Sequence, residues 1–319
     1  MKTYVVTGGC GFIGSHLSDA LIAAGHRVRI LDDLSTGRRE NAPPGAAIVV
    51  GTVADPATVR TVLDGADGCF HLAAIASVTK ANEDWIGTHR VNLGGAINVF
   101  EAARRAKHGA AVPVVYASSA AVYGDCRDMP LAETARTKPF SAYGADKLGC
   151  ELHGHVASSV HGVPTIGLRF FNVFGPRQDP SSPYSGVISV FADRVLNGRE
   201  LTIFGDGEQV RDFIYVGDVV RCACAAMTGA VVRSPEVYNV CTGRPTSVRS
   251  LADTISVLSG STPRLRFESP RTGDIRVSLG DGSKAGRDLD FRSTVSFEDG
   301  LRLTLAALRS PDVRRSLDT

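Results

Sequence analysis

Tyr143 and Lys147 are the residues of this sequence best suited to catalysis, because they lie four positions apart in the stretch YGADK. Residues at this spacing project from the same face of a helix. A tyrosine is a poor base at neutral pH, but a neighbouring ammonium group stabilises its phenolate. Ser118 and Ser119 end the strand predicted before this helix, where a hydroxyl can bind the same substrate oxygen. The group predicts proton removal from an alcohol, although a Tyr/Lys pair alone is also common on exposed helices.

A glycine-rich stretch near the N-terminus, TGGCGFIG, predicts a second kind of site. Its glycines fall at Gly8, Gly11 and Gly14, between a β-branched run at 3–6 and a run at 15–24 with apolar residues at helical spacing. In such a strand–turn–helix unit, backbone N–H groups approach a pyrophosphate at the positive end of the helix dipole. We therefore expect this stretch to bind a dinucleotide, although a glycine triplet alone also suits a plain turn.

Asp32 indicates which dinucleotide is bound. It follows a predicted strand at 27–31 and lies 18 positions beyond Gly14, near the spacing at which a carboxylate accepts hydrogen bonds from the adenosine ribose. A carboxylate there repels the additional phosphate of NADP, which favours NAD. Two alternatives stay open: Asp32 merely opens the turn that follows it, or Arg38 and Arg39 bind a 2′-phosphate.

The elements that must position these residues alternate between strands and helices. Further strands are predicted at 46–50, 68–74, 112–119 and 165–170, and long helices at 84–107 and 141–160. This alternation predicts an α/β fold with a doubly wound Rossmann parallel sheet, which binds ligands at the carboxyl ends of its strands. After residue 172 the pattern becomes loop-rich. We expect an NAD-binding domain over 1–172, to which some later segments return, and a smaller C-terminal α/β substrate lobe mainly over 173–319.

Composition narrows the class of protein. The 319 residues include 35 Lys and Arg against 33 Asp and Glu, and the net charge of +2 gives no reason to expect nucleic acid or an anionic membrane as a partner. The N-terminus forms a predicted strand rather than a signal peptide, and no apolar run approaches the ~20 residues of a membrane helix. Seven cysteines, one of them Cys10 in the glycine turn, and the lack of metal-ligand spacing predict a reduced, cytoplasmic protein without a metal site.

The chain resembles a known family in eight motifs, which are in order TGGCGFIGSHL, LDDLSTG, HLAA, SSAAVYG, YGADK, LRFFNVFGPRQ, TIFGDGEQVRDFIYVGDV and PRTGDIRVSLGDGSKA. The family is the extended short-chain dehydrogenase/reductases, and within it the nucleotide-sugar epimerases similar to the UDP-galactose and UDP-N-acetylglucosamine 4-epimerases. The resemblance covers nearly the whole chain. It implies tightly held NAD and a UDP-sugar substrate. C4 of the sugar would pass a hydride to NAD, the resulting 4-keto sugar would turn over in the site, and the hydride would return to its other face. It also implies a homodimer that pairs through the helix around 92–107 and the helix of Tyr143.

Carried over residue by residue, the resemblance implies three catalytic residues. Tyr143 would remove the proton of the sugar 4-hydroxyl, Lys147 would also hold the nicotinamide ribose, and Ser119 would bind the same hydroxyl. The implied cofactor contacts are Gly8, Gly11, Phe12, Ile13, Gly14, Asp32, Val53, Leu72, Ala73, Ala74, Asn92, Tyr143, Lys147 and Phe170. The implied substrate contacts are Ser77, Ser118, Ser119, Asn172, Val187, Thr202, Phe204, Arg211, Arg271, Asp274 and Ser278.

Five of these residues would hold the nucleotide. Asn172, Arg211 and Arg271 match diphosphate contacts, Asp274 matches a contact of the uridine ribose or its surroundings, and Phe204 matches an aromatic beside the uracil. Arginine forks suit phosphate oxygens, and a flat ring suits a base. Outside these motifs, the two arginines would be interpreted as surface ion-pair residues and Phe204 as part of the core.

The sequence departs from the family pattern in informative places. Dehydratases and UDP-glucuronate decarboxylases usually carry an acid just before VYG, where this chain has Ala120 and Ala121, which argues against a 4,6-dehydratase. Ser278 stands where enterobacterial galactose enzymes carry a bulky Tyr, so an N-acetyl group at C2 should fit. We expect a 4-epimerase of UDP-Glc/UDP-Gal and UDP-GlcNAc/UDP-GalNAc. The alternatives are an NDP-sugar dehydratase, reductase or uronate epimerase and, more remotely, a non-catalytic dinucleotide sensor.

Overall fold

The computed structural model describes residues 1–76, 78–180, 186–271 and 274–309. Within these residues, seven parallel strands form the central sheet. Their order in space reverses between the first and the fourth strand, which confirms the predicted doubly wound Rossmann fold and places its ligand crevice at that point. The strands are, in spatial order, β10 (Glu236–Val240), β6 (Thr165–Phe170), β5 (Val114–Ser119), β4 (Gly68–His71), β1 (Thr3–Thr7), β2 (Arg27–Asp32) and β3 (Ala47–Val50).

Helices cover both faces of this sheet, because parallel strands are apolar on both sides. Leu17, Val219 and Ala226 belong to the apolar core on one face, and Val99 and Ala157 to the core on the other. The first face is covered by α1 (Phe12–Ala23), α8 (Val216–Arg233) and α10 (Ser283–Leu289), and the second by α2 (Pro56–Leu63), α5 (Gly95–Ala103) and α6 (Ala142–His161). Two short helices, α3 (Val78–Glu83) and α4 (Trp85–His89), lie between β4 and α5.

The later part of the chain also forms two small sheets with a separate apolar core that includes Phe191, Ile203 and Leu301. β10 and α8 come from the same part of the chain but belong to the large sheet and its cover. In one small sheet, β9 (Val210–Tyr215) pairs with β7 (Asn172–Phe174), β11 (Pro245–Ser247) and β13 (Val277–Ser278). In the other, β8 (Leu201–Phe204) pairs with β12 (Leu265–Glu268), and the helices are α7 (Val187–Leu196), α9 (Val248–Ser259) and α11 (Phe297–Arg309).

The helix predicted at 84–107 is divided in the structure. α4 is followed by one π-helical turn at Arg90–Gly94, and α5 ends at Ala103. Gly95 allows close packing at this point, since a Cβ there would lie 2.6 Å from Cγ2 of Val53. The strand predicted at 68–74 ends at His71, and the small residues after it form a loop. Among the described residues, no helix is long and apolar enough to cross a membrane.

Candidate active site

A cleft of about 770 Å³ lies at the carboxyl ends of the central strands. It is lined by residues at or just beyond the ends of five strands: Gly8 after β1, Asp32 of β2, Leu72 after β4, Ser119 of β5 and Phe170 of β6. This is the crevice at which the strand order reverses, so the structure places the cleft where the sequence predicts the ligand site.

The three glycines of the first turn are required for different reasons. Gly8 has a φ of +71°, and a Cβ there would lie 2.8 Å from the nitrogen of Ala73. A Cβ on Gly14 would lie 2.1 Å from the Gly8 oxygen, so the protein's own main chain excludes side chains at both positions. Gly11 is less confined and precedes α1, whose first N–H groups have no acceptor within the helix. The first turn of α1 lines the cleft, and its free donors fit a dinucleotide diphosphate.

Asp32 holds the glycine turn and is also available to a ligand. Its carboxylate is buried and accepts hydrogen bonds from the Cys10 nitrogen and the Leu34 nitrogen, both at 2.9 Å. Burial raises the pKa of the Asp32 carboxyl, and these two hydrogen bonds oppose the rise. Each carboxylate oxygen keeps a further lone pair, and Asp32 lines the cleft. The residue therefore opens the turn that follows it and can also accept hydrogen bonds from a ribose.

α6 carries Tyr143 and Lys147 into the cleft. Ser141 fixes the start of this helix, because its hydroxyl accepts a hydrogen bond from the Gly144 nitrogen at 3.1 Å. Lys147 is buried, and its Nζ donates to the Ala117 oxygen at 2.9 Å. The same Nζ lies 5.8 Å from the centre of the half-buried Tyr143 ring. The ammonium is therefore held in one position beside the tyrosine.

The two serines at the end of β5 have different partners. Ser119 lines the cleft, and its Oγ accepts a hydrogen bond from the Ala121 nitrogen at 3.1 Å, so the hydroxyl proton remains to be donated. The Ser118 side chain is buried and donates to Glu151 on α6. The sequence predicts substrate contacts for both serines; both line the cleft, and the Ser118 hydroxyl proton is donated to Glu151. Successive side chains of a strand point to opposite faces, which separates the two.

A buried ion pair holds α6 against the sheet. Glu151 accepts two hydrogen bonds from Arg169 of β6, at 2.8 and 2.7 Å, and each side chain is only 7% exposed. Arg169 also donates to the hydroxyl of Tyr123 at 2.8 Å. Tyr143, Lys147 and Glu151 follow one another at intervals of four residues on one face of α6. The ion pair therefore fixes the face that carries Tyr143 and Lys147.

His71 at the end of β4 is a further buried group, close enough to Lys147 to feel its charge. Its Nδ1 lies 2.7 Å from Oγ1 of Thr7. Burial, with the charge of Lys147 as a smaller cause, lowers the pKa of His71 to about 3. The ring is therefore neutral at physiological pH and adds no second positive charge beside Lys147. Sequence analysis missed this role, because the contact with Thr7 joins residues 64 positions apart.

Asn92, a predicted cofactor contact, bonds with the main chain of Ile75. Its side chain accepts a hydrogen bond from the Ile75 nitrogen at 2.8 Å and donates to the Ile75 oxygen at 3.1 Å, so it supports a loop of the cleft instead of lining the cleft. Ser77 lies outside the described residues, and Asn172, a predicted contact of the substrate diphosphate, lines the cleft. The other predicted cofactor residues all line it: Gly8, Gly11, Phe12, Ile13, Gly14, Asp32, Val53, Leu72, Ala73, Ala74, Tyr143, Lys147 and Phe170.

The remaining predicted substrate residues lie in the C-terminal lobe and largely contact one another. The guanidinium of Arg271 lies 3.9 Å from the centre of the Phe204 ring. Nη2 of Arg211 donates to Asp274 at 2.5 Å, and Ser278 is paired with Arg211 in the register of β13 and β9. None of these residues is among those that line the described cleft. The last two predicted substrate contacts are Val187, which begins α7, and Thr202, which lies in β8.

Two other segments of the cleft were missed by sequence analysis. Residues 175–180, which follow β7, line it, and so do Ala307 and Leu308 of α11. The first segment overlaps the quoted motif LRFFNVFGPRQ, but the motif by itself assigned no role to its last residues. The second is brought to the cleft only by the packing of α11, which no local pattern indicates.

Comparison with known proteins defines the family. Residues 4–241 match the family model described as "NAD dependent epimerase/dehydratase family". The UDP-glucose 4-epimerase of Mycolicibacterium smegmatis is 34% identical over 316 residues, which cover 97% of this chain and 99% of that protein. The chain therefore belongs to the NAD-dependent epimerase/dehydratase family, and the predicted relationship is confirmed. Its cofactor is NAD, as the sequence predicts.

Solved structures agree with this assignment. The UDP-glucose 4-epimerase of Thermus thermophilus in complex with NAD matches with a TM-score of 0.88 and 34% identity, covering 97% of this chain and 99% of that one. The UDP-N-acetylglucosamine 4-epimerase of Methanobrevibacter ruminantium, in complex with UDP-N-acetylmuramic acid, matches with a TM-score of 0.91 and 36% identity, covering 96% and 98%. The UDP-N-acetyl-alpha-D-glucosaminuronate decarboxylase of Bacillus cytotoxicus is 31% identical, covering 97% and 98%. Several sugar reactions therefore occur among the relatives.

Proposed function

We propose that this protein is an NAD-dependent UDP-hexose 4-epimerase that acts on UDP-Glc/UDP-Gal and UDP-GlcNAc/UDP-GalNAc. The observation that best supports the proposal is where the carboxylates that line the cleft lie relative to Ser119 and Tyr143. Ser119 is followed by Ala120 and Ala121, where the dehydratases and UDP-glucuronate decarboxylases that the chain resembles usually carry an acid. The acidic residues that line the described part of the cleft are Asp32, Asp33, Glu40 and Asp179.

These four carboxylates belong to the part of the cleft expected to hold adenosine. Asp32, Asp33 and Glu40 lie at the end of β2 and in the segment after it, and Asp179 pairs with Arg38 of that segment at 2.8 Å. Within the described residues, the proton-transfer group beside Ser119 is therefore Tyr143 with its neighbour Lys147. One such group suits a reversible oxidation at a single carbon, whereas elimination of water needs an additional acid.

The chain's own residues would handle the proton and the oxygen at C4. Bound NAD supplies the hydride acceptor and then the hydride donor. Tyr143 would take the proton of the sugar hydroxyl and return it after the ring has turned over. The fixed ammonium of Lys147 would stabilise the phenolate, and Ser119 would donate its free hydroxyl proton to the sugar oxygen. Because the His71 ring is neutral, it adds no positive charge that would repel the ammonium of Lys147.

The proposed UDP-sugar site lies in the C-terminal lobe. Phe204, Arg211, Arg271 and Asp274 provide a flat ring, two guanidinium groups and a carboxylate, which suit a base, a diphosphate and a ribose. Ser278 is small and half-buried beside Arg211, and this supports room for an N-acetyl group. We propose that the Rossmann half over 1–172 holds NAD and that residues 173–319 mainly hold the nucleotide sugar.

We propose that the protein is a cytoplasmic homodimer formed through the helix around 92–107, which contains α5, and through α6, with the neighbouring α4 extending the same surface. Leu152, Val156 and Val160 form an apolar stripe along α6 and are 63%, 43% and 68% exposed. Trp85 and Ile86 of the adjacent α4 are 67% and 78% exposed. A surface of this kind is typical of a protein interface. Light scattering at micromolar concentration should give the mass of a dimer, and a monomer would contradict this part of the proposal.

Proton NMR of UDP-GlcNAc with the purified protein in D2O, without added cofactor, tests the reaction. Conversion to UDP-GalNAc with protium retained at C4 would support internal hydride return through bound NAD. Deuterium at C5, or a new alkene or keto signal, would assign the protein to the dehydratases and overturn the proposal. UDP-Glc and UDP-glucuronate are the next substrates to test, and lack of reaction with all three would favour the sensor.

A further inference from the structure

The loop at residues 175–180 joins the two halves of the molecule along the cofactor cleft. It follows β7 of the C-terminal lobe, and it lines the same cleft as the glycine turn and the segment after β2. We refer to residues 175–180 as the cleft loop. Its position borders the part of the cleft where the Gly11 turn and Asp32 fit the diphosphate and adenosine of NAD.

Two contacts attach the start of the cleft loop to α1. Nε2 of His16 lies 2.9 Å from the Pro176 oxygen, and Arg177 pairs with Asp19 at 2.7 Å. Arg177 has a φ of +65°, which is unfavourable for a residue other than glycine. The conformation therefore has to be supported by its surroundings, and the contacts with His16 and Asp19 provide that support.

A third contact attaches the end of the cleft loop to the segment after β2. Nη2 of Arg38 lies 2.8 Å from Asp179, and the two side chains are 29% and 26% exposed. The main-chain nitrogen of Arg38 donates to the Cys10 oxygen at 3.0 Å, so the arginine is fixed to the glycine turn itself. The Arg177–Asp19 pair is more exposed, at 34% and 40%. The Arg38–Asp179 pair is therefore less screened by water and should be the stronger of the two.

We propose that Arg38 and Asp179 are cofactor-positioning residues: their ion pair closes the cleft loop over bound NAD and retains it between turnovers. NAD cannot leave the diphosphate–adenosine part of the cleft unless the loop moves away from the glycine turn, and this movement breaks the pair. An enzyme that takes a hydride and returns it to the same sugar needs its cofactor to stay in place. The inference depends on NAD binding and not on which sugar is the substrate.

The test measures how fast bound NAD leaves the holoenzyme. The full-length protein with bound NAD is mixed with excess isotopically labelled NAD, and replacement of the bound cofactor is followed by mass spectrometry. Asp179→Asn and Arg38→Met should each accelerate exchange by about fivefold at low salt, the effect of losing ~1 kcal/mol. The double variant should accelerate exchange by less than the product of the two single effects, because both substitutions remove the shared ion pair. In 0.5 M NaCl the wild type should approach the variants, since salt screens partly exposed charges.

Matched variants separate this role from general damage. Asp19→Asn removes the more exposed pair on the same loop and should accelerate exchange less than Asp179→Asn. Glu101→Gln removes the surface pair of Glu101 with Arg104 on α5 and should leave exchange unchanged. Unchanged exchange in Asp179→Asn, additive effects in the double variant, or a difference that persists in 0.5 M NaCl would each overturn the proposal.

Discussion

The predicted site residues at the central sheet are held by the main chain and by a buried ion pair, whereas those in the C-terminal lobe are held by one another. Lys147 is buried and fixed to the Ala117 main chain, and Glu151 and Arg169 behind it are each 7% exposed. In the lobe, the exposed Arg271 stacks on Phe204, and Arg211 pairs with Asp274, so these residues contact one another. Under the proposed function, a nucleotide would compete for those contacts, whereas Tyr143 and Lys147 would need no rearrangement. Variants on the sheet should therefore impair turnover, and variants in the lobe should impair binding.

The largest effect is expected for Tyr143→Phe. The variant removes the hydroxyl that would exchange the proton with the sugar and leaves the ring and Lys147 in place, so kcat should fall about a thousandfold, in the range found for general acid–base groups. KM should change little, because the lobe is untouched. Steady-state kinetics of UDP-GlcNAc epimerisation measure both constants. Bound NAD, quantified after denaturation, serves as the control and should equal that of the wild type; turnover near the wild-type rate would exclude Tyr143 as the base.

Removing Glu151 should have the next largest effect. Glu151→Leu leaves the Arg169 guanidinium buried without its carboxylate, and the free energy of unfolding should fall by roughly 3 kcal/mol or more. Because Glu151 shares a helix face with Tyr143 and Lys147, kcat should fall and KM should change less. Glu151→Gln, which keeps an acceptor for Arg169, should recover part of both losses. His153→Gln, at an exposed position of α6, is the control for urea unfolding, and an equal stability of Glu151→Leu and wild type would refute the role of the pair.

Local spacing predicted the parts of the site that a single segment determines. The glycine turn, Asp32 and the pair Tyr143–Lys147 each depend on a strand end or a helix start, and all of them line one cleft. The pairing of Arg38 with Asp179, 141 positions away, depends on tertiary packing and has no local pattern. The sequence explained Gly14 only by the close approach of a phosphate. In the structure, the Gly8 oxygen by itself leaves no room for a side chain at this position.

The contacts of Ser118 and Asn92 show what local spacing leaves open. Their side chains bond with partners on neighbouring elements, Glu151 and the main chain of Ile75. A polar group inside a protein must find a hydrogen-bond partner, and the sequence does not specify which one is within reach. The fold class, in contrast, follows from alternating strands and helices over the whole chain, and for that reason it was predicted correctly.

The third largest effect is expected on the pH dependence of the free energy of unfolding, and it comes from the buried His71. His71 has a folded-state pKa of about 3, below the ordinary value of 6.5, so the unfolded chain binds the proton first and stability falls as the pH drops below about 6.5. At pH 5 this amounts to roughly 2 kcal/mol relative to neutral pH. Burial also lowers the pKa of His16, which adds to the same trend.

The variant His71→Asn tests this contribution, because its amide can still bond with Thr7 but does not titrate. It should be less stable than the wild type at pH 7.5, since the buried ring is lost. Its further loss of stability between pH 7.5 and pH 5, measured by urea unfolding, should be smaller than that of the wild type. An equal loss in His71→Asn and wild type would show that acid sensitivity arises elsewhere.

Arg271→Gln should have the smallest effect, and it addresses the lobe directly. A charge-assisted hydrogen bond to a phosphate is worth about 2 kcal/mol, but the free enzyme gives up its stacking on Phe204, worth about 0.5–1 kcal/mol, when the nucleotide binds. The net loss in the variant should therefore raise KM for UDP-GlcNAc roughly tenfold, with little change in kcat. Arg266→Gln, which removes an exposed arginine of the same lobe, should leave both constants unchanged. A fall in kcat at constant KM would instead place Arg271 in the chemistry, and the division between a fixed catalytic side and an exchangeable binding side would fail.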